Sequence, residues 1–135
     1  YQDRKTAAFL GEYTDLVKNQ YVDTYIRPQE NGYRTDARWI SLSDASGHTL
    51  KVEGLQPISF SALHFMSEDF DSGLTKMQRH ANDVAERDMT VLHVDLMQRG
   101  LGGDNSWGLM PLDKYRLLAK NYSYAYVITL ELEFG

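Results

Sequence analysis

The clearest pattern in the chain is an alternation of apolar and other residues near its end. Every second position is large and apolar in the series Tyr122, Tyr124, Tyr126, Ile128, Leu130, Leu132 and Phe134. Successive side chains of a strand point to opposite faces, and aromatic and β-branched residues suit a pleated surface. The alternation therefore predicts a long strand over 122–134 with one buried face.

The same period of two predicts five shorter strands, over residues 37–43, 48–52, 58–65, 89–97 and 115–118. The first two are separated by Ser43-Asp44-Ala45-Ser46-Gly47, whose composition is typical of a tight turn. These two strands are therefore expected to form an antiparallel hairpin.

One segment has a helical period instead. Phe70, Leu74, Met77 and Ala81 recur at spacings of four, three and four, after residues suited to a helix start. This predicts a short helix over 67–81. Because strands dominate elsewhere, the predicted fold is all-β, an antiparallel β-sandwich with one short helix.

Length and composition indicate one globular domain spanning residues 1–135, with 42% hydrophobic and 24% charged residues. The chain begins with Tyr1 rather than Met, and its strands are few for a complete sandwich. We therefore expect it to be a piece of a longer gene product.

Charge and residue usage argue against several kinds of partner and site. The net charge is −5 with no basic stripe, which is unfavourable for binding nucleic acid. No apolar run approaches the roughly 20 residues that cross a bilayer, so we expect no membrane partner. The absence of cysteine excludes disulfides, thiolate nucleophiles and cysteine-based zinc sites.

A glycine-rich loop, Gly100-Leu101-Gly102-Gly103-Asp104-Asn105-Ser106-Trp107-Gly108, is the main candidate site. It lacks the Lys and Ser/Thr of a phosphate-binding loop. Trp107 with Asp104 and Asn105 offers an aromatic plate and hydrogen-bonding groups, which together suit a sugar. The alternative is that Trp107 fills the core while its polar neighbours satisfy the turn.

Two other groups are interpreted as structural. His93 and Asp95 share one strand face, but a metal site needs three or more converging ligands, so no metal site is predicted. Asn31-Gly32 is a turn signal, preceded by Arg27 and Glu30, whose side chains are expected to fasten neighbouring strands.

Several segments together resemble the C-terminal domain of large bacterial β-galactosidases of glycoside hydrolase family two. They occur in the family's order and cover nearly the whole chain. They are Tyr1-Gln2-Asp3-Arg4, Thr6-Ala7-Ala8, Tyr25-Ile26-Arg27-Pro28-Gln29-Glu30-Asn31-Gly32, Arg38-Trp39, Gly100-Leu101-Gly102-Gly103-Asp104-Asn105-Ser106-Trp107, Pro111-Leu112 and Tyr115-Arg116-Leu117.

The resemblance implies the C-terminal part of a galactose-mutarotase-like β-supersandwich within a multidomain, oligomeric bacterial enzyme. That enzyme would hydrolyse terminal non-reducing β-D-galactosides with retention, using two glutamates of a separate catalytic barrel. Magnesium and sodium would be bound by other domains. This chain would hold no catalytic or metal-binding residue and would be inactive alone, and a cytoplasmic and a periplasmic location both stay open.

The resemblance assigns Trp107 to substrate binding, as one wall of the active-site cleft stacked on the sugar. Asp104 and Asn105 match the same motif and are interpreted as supports of the loop. Two other functions stay open. The chain would be a carbohydrate-binding module that works alone, or a structural domain used in assembly.

Overall fold

A computed structural model describes residues 13–21, 26, 31–71, 73–74, 79–100, 105 and 107–132. Four strands form its framework: β1 (Arg34–Ser43), β2 (Thr49–Leu63), β3 (Val91–Asp95) and β4 (Tyr126–Glu131). Helical structure within these ranges is limited to single 3₁₀ turns at Val17–Gln20, Ser67–Phe70, Ala81–Asp83 and Asp113–Tyr115. None of these is long and apolar enough to cross a membrane. The predicted all-β, antiparallel, sandwich-like class is confirmed.

All four strands belong to one antiparallel sheet centred on the long strand β2. β1 runs along one edge of β2, with Ile40 opposite Val52. The other edge is shared, because β4 pairs with Thr49–Gly54 and β3 pairs with Ser59–Leu63. The sheet therefore has β2 at its centre, and β4 lies beside the half that is nearer to the hairpin.

The β1–β2 hairpin is confirmed, and Asp44 organises it. Its Oδ1 accepts backbone N–H bonds from Ser46 at 2.8 Å and His48 at 3.0 Å. Its Oδ2 lies 2.9 Å from Nδ1 of His48, and this hydrogen bond is the main reason that the pKa of Asp44 is lowered. Gly47 adopts a φ of +87°, a conformation that glycine takes without strain.

Two apolar clusters stabilise the fold. The larger one lies on one face of the sheet, with partly buried residues such as Val17 and Leu50 packed against it, and its buried members are Ala37, Ile40, Val52, Ile58 and Phe60. The smaller one follows the end of β2 and consists of Phe65, Phe70 and Val84.

The predicted helix over 67–81 is wrong. A 3₁₀ turn, Ser67–Phe70, takes its place because the Asp69 carboxylate accepts the backbone N–H of Met66 and Phe70 turns into the smaller cluster. Gly73 then adopts a φ of +76°, outside the helical region, and Leu74 is fully exposed. Met77 lies outside the described residues.

Four strand predictions need correction. The separate strands over 48–52 and 58–65 are one continuous strand, β2. Residues 115–118 form no strand, because Asp113–Tyr115 closes a 3₁₀ turn in which Asp113 accepts from Arg116. Of the long strand predicted over 122–134, only β4 is a strand within the described residues, and the predicted buried face is wrong because all six residues of β4 are exposed. Phe134 lies outside the described residues.

Candidate functional site

The glycine-rich loop begins five residues after β3 ends, and its base is tied to the segment that follows it. The backbone N–H of Gly100 donates to the carbonyl of Tyr115 at 2.6 Å. A Cβ at Gly100 would lie 2.7 Å from the Cβ of Tyr115 and 2.9 Å from its carbonyl oxygen. The close approach of these two backbones therefore requires glycine at this position.

Asn105 shapes the far end of the loop. Its Oδ1 accepts the backbone N–H of Trp107 at 3.0 Å and that of Leu109 at 3.4 Å. This arrangement is an Asx turn, in which a short side chain replaces a backbone acceptor. Gly108, between the two donors, has a φ of +114° in open space. The backbone that carries Trp107 is thus held by a side chain two residues before it.

Trp107 is 87% exposed, so the hypothesis that it fills the core is wrong. Nearby Leu109, Met110 and Leu112 are exposed as well, whereas Pro111 is buried. Asp104, the other predicted support, lies outside the described residues. Among the described parts of the predicted site, the structure joins the Asn105 side chain to the backbone of Trp107.

His93 and Asp95 each have a partner on another strand or loop. Nδ1 of His93 lies 3.3 Å from Oγ of Ser61, and Asp95 accepts a hydrogen bond from the Tyr33 hydroxyl at 3.1 Å. No three His, Asp or Glu side chains converge on a possible metal position within the described ranges. Gly32 adopts a φ of +73°, which suits glycine, but Arg27 and Glu30 lie outside the described residues, so the Asn31-Gly32 turn stays a prediction.

A cavity of about 770 Å³ lies along β1, away from the glycine-rich loop. Its lining includes Val17, Gln20, Trp39 and Asp36. Asp36 has a φ of +54° at a register shift of β1. Hydrogen bonds from Asn19 and the backbone of Leu16 lower the pKa of Asp15, on the same wall. Sequence reasoning missed this cavity because its two walls are distant in the chain, and Trp107 does not line it.

The described residues define an antiparallel all-β domain that presents an exposed tryptophan on a glycine-rich loop. The model of a family described as the beta-galactosidase small chain matches residues 1–128. The chain therefore belongs to the β-galactosidase small-chain family.

Relatives named β-galactosidase match most of the chain. It is 34% identical to the protein of Priestia megaterium over 131 residues, covering 97% of this chain and 12% of the relative. The protein of Pseudoalteromonas haloplanktis is 32% identical, and the match covers 96% of this chain and 11% of the relative. The protein of Streptococcus thermophilus is 32% identical, and the match covers 95% of this chain and 12% of the relative. The chain thus spans about one eighth or less of the length of these relatives.

Proposed function

We propose that residues 1–135 form one domain of a β-galactosidase that hydrolyses terminal non-reducing β-D-galactosides. In this proposal Trp107 forms a wall of the substrate cleft, and Asn105, with Asp104, supports the loop. The observation that carries it is an almost fully exposed indole in a chain that belongs to a β-galactosidase family.

The chemistry of the loop suits a sugar. An exposed indole loses contact with water when the C–H face of a pyranose packs on it, and a large aromatic side chain has roughly 150–250 Å² to bury. The Asn105 turn restrains the backbone beneath the ring before any sugar arrives. Such preorganisation lowers the entropy cost of binding.

The bond-breaking groups belong to the rest of the enzyme in this proposal. Retaining hydrolysis needs two carboxyl groups roughly 5 Å apart on either side of the scissile bond, and we assign both to a separate catalytic barrel. We also assign the magnesium and sodium sites to other domains of an oligomeric enzyme. This chain, as part of a galactose-mutarotase-like supersandwich, is then inactive alone.

The test is Trp107→Ala in the complete enzyme that contains this chain. We expect weaker binding of galactosides and of galactose as an inhibitor, measured as a higher KM and a higher inhibition constant. Trp39→Ala is the matched control, because the chain has two tryptophans and Trp39 lies on β1, away from the loop. If KM and the inhibition constant of Trp107→Ala equalled those of wild type, Trp107 would not stack on the sugar.

Calorimetric titration of the chain alone with galactose and lactose tests whether it works without the rest of the enzyme. We expect no binding heat, because a single exposed wall offers few of the contacts that enclose a ligand. Clear binding by the chain alone would favour a stand-alone carbohydrate-binding module instead.

A further inference from the structure

The glycine-rich loop is part of a longer segment, the β3–β4 connection (residues 96–125). β3 ends opposite Ser59 of β2, and β4 begins opposite Gly54 of the same strand. Both strands lie on the edge of β2 that is not paired with β1. The connection therefore leaves the sheet and returns to it at neighbouring points of one edge, on either side of residues 55–58.

β2 holds the returning end of this connection at Ala125. The backbone N–H of Leu55 donates to the carbonyl of Ala125 at 3.0 Å. The side-chain amide of Gln56 donates to the same carbonyl from Nε2 at 3.2 Å, and its Oε1 accepts the backbone N–H of Ala125 at 3.2 Å. These hydrogen bonds fix the chain to β2 at the residue directly before β4.

Tyr124 ties this returning end to the outgoing end. Its hydroxyl donates to the backbone carbonyl of Val94 at 3.0 Å, across 30 positions of the sequence. Val94 lies in β3, and Tyr124 lies directly before Ala125, so both partners are placed by the sheet. The bond joins the two limbs of the connection at their base, the outgoing limb being residues 96–100 and the returning limb residues 107–125 within the described chain.

Two further contacts join the limbs nearer to the indole. The backbone N–H of Gly100 donates to the carbonyl of Tyr115 at 2.6 Å, and Nη2 of Arg99 lies 3.7 Å from Sδ of Met110. The first bond joins two backbones, and the second uses a thioether, which is a weak acceptor. Of the two ties made by side chains, the hydroxyl of Tyr124 therefore makes the stronger one.

The position of the indole depends on the connection as a whole. Trp107 is 87% exposed, so no side chain of the described part of the chain covers most of its ring. The Asn105 turn fixes the backbone of Trp107 only to a neighbour two residues away. The contacts at the base of the connection and between its limbs therefore decide where the indole lies relative to the sheet.

We propose that Tyr124 is a positioning residue for Trp107. By tying the returning limb to β3, its hydroxyl restrains the loop that presents the indole to a sugar. Loss of this bond lets the limbs move more freely, so more conformational entropy is lost when a galactoside binds. The inference rests on the proposed function in one respect, which is that Trp107 binds the galactoside.

Tyr124→Phe in the complete enzyme removes the hydroxyl and keeps the ring, whose centroid lies 5.9 Å from that of Tyr126. We expect KM for a galactoside and the inhibition constant of galactose to rise about two- to tenfold, the equivalent of one typical hydrogen bond. The value of kcat should stay within about twofold of wild type, because the lost interaction is one of binding. Tyr122→Phe is the matched control and should leave both constants unchanged, since the Tyr122 hydroxyl donates to the carbonyl of Leu118 at 2.7 Å, within the returning limb.

A double-mutant cycle tests whether Tyr124 acts through the indole. In the Trp107→Ala background, Tyr124→Phe should leave KM unchanged, because the side chain that Tyr124 positions is already gone. An equal rise of KM in the wild-type and Trp107→Ala backgrounds would overturn the proposal. A wild-type KM in Tyr124→Phe, or an equal rise in Tyr122→Phe, would overturn it as well.

Amide hydrogen exchange gives a readout that does not depend on catalysis. In Tyr124→Phe, peptides from the two limbs should exchange faster than in wild type, while peptides from the β1–β2 hairpin should keep their wild-type rates. Unchanged exchange in both limbs would contradict the proposal. If Trp107→Ala left KM unchanged, the proposed function would fail, yet faster exchange in Tyr124→Phe would still support the restraint of the loop by Tyr124. The two failures are therefore distinguishable.

Discussion

Arg87 holds the carboxylate of Asp69 with two nitrogen atoms, Nε at 2.8 Å and Nη2 at 2.6 Å from its oxygens. The same carboxylate accepts the backbone N–H of Met66 at 2.8 Å. The fork of donors from Arg87, followed by the Met66 bond, lowers the pKa of Asp69 from 3.8 to about 2. The pair ties the segment before β3 to the 3₁₀ turn after β2, beside the smaller cluster.

The Asp69–Arg87 pair should make the free energy of unfolding depend on pH in the acidic range. Because the pKa of Asp69 is lower in the folded state than the ordinary value of 3.8, its ionised form favours folding. The contribution is complete above the ordinary pKa and is lost as the pH falls from 3.8 to about 2. Denaturant unfolding of wild type and Asp69→Asn across this range should show a stability difference that shrinks as the pH falls.

Arg87→Gln removes the other partner of the ion pair. In the Arg87→Gln background, the stability difference that Asp69→Asn causes should be smaller than in the wild-type background over the same pH range. A stability difference between wild type and Asp69→Asn that is the same at low pH and at neutral pH would show that the ion pair does not carry the effect.

Ile58→Ala should be strongly destabilising. Ile58 is 0% exposed and lies in the larger cluster, so its truncation leaves a cavity at a cost of about 2–5 kcal/mol. Leu55→Ala is the matched control on the same strand, because Leu55 is 73% exposed. Thermal or denaturant unfolding should separate the two variants, and an equal loss in both would argue against this core.

Gly54→Ala should weaken the pairing of β2 with β4. A Cβ at Gly54 would collide with the carbonyl oxygen of Gln56 and lie 2.8 Å from Cγ2 of Ile58. Since Gly54 is opposite Tyr126, the backbone shift needed to relieve the collision falls on the β2–β4 ladder. We expect a loss of about 1–3 kcal/mol in unfolding free energy, with the exposed neighbour Glu53→Ala nearly neutral. If Gly54→Ala were as stable as wild type, the close approach of Gly54 to Gln56 and Ile58 would be contradicted.

Asn105→Ala in the complete enzyme should weaken galactoside binding through Trp107. The substitution removes the acceptor for the N–H groups of Trp107 and Leu109, a loss of about 0.5–1.5 kcal/mol for a typical hydrogen bond. KM should rise severalfold while the unfolding midpoint stays near that of wild type. Asn105→Asp keeps an acceptor and should restore most of the affinity. No recovery in Asn105→Asp would show that the turn does not position the indole.

Local chemistry was sufficient to predict the hairpin and the class of the fold. Asp44 and Gly47 act within the turn itself, so their residue types indicate the connection directly. The division of β2 into two strands was wrong because Gly54 and Pro57 are residues that usually interrupt a strand. In the sheet, pairing with β1, β3 and β4 carries β2 past both of them.

The predicted helix failed for a related reason. Phe70 belongs to a helical period in the sequence, but in the structure it packs on Phe65, with ring centroids 5.3 Å apart. The Asp69–Arg87 pair and the positive φ of Gly73 favour a turn over a helix at this position. Side-chain packing, the Asp69–Arg87 pair and the backbone conformation of Gly73 therefore outweighed the helical period.

The sequence by itself determined which residues share a face and which loop holds Trp107, because alternation and turn chemistry act between near neighbours. Only the tertiary structure decided that Val52 is covered while Ile128, directly opposite it, is exposed. It likewise decided that Trp107 faces solvent and not the core. Burial depends on which other segments pack over a side chain. The pattern of residues along one strand carries no information about which of its side chains other segments pack against.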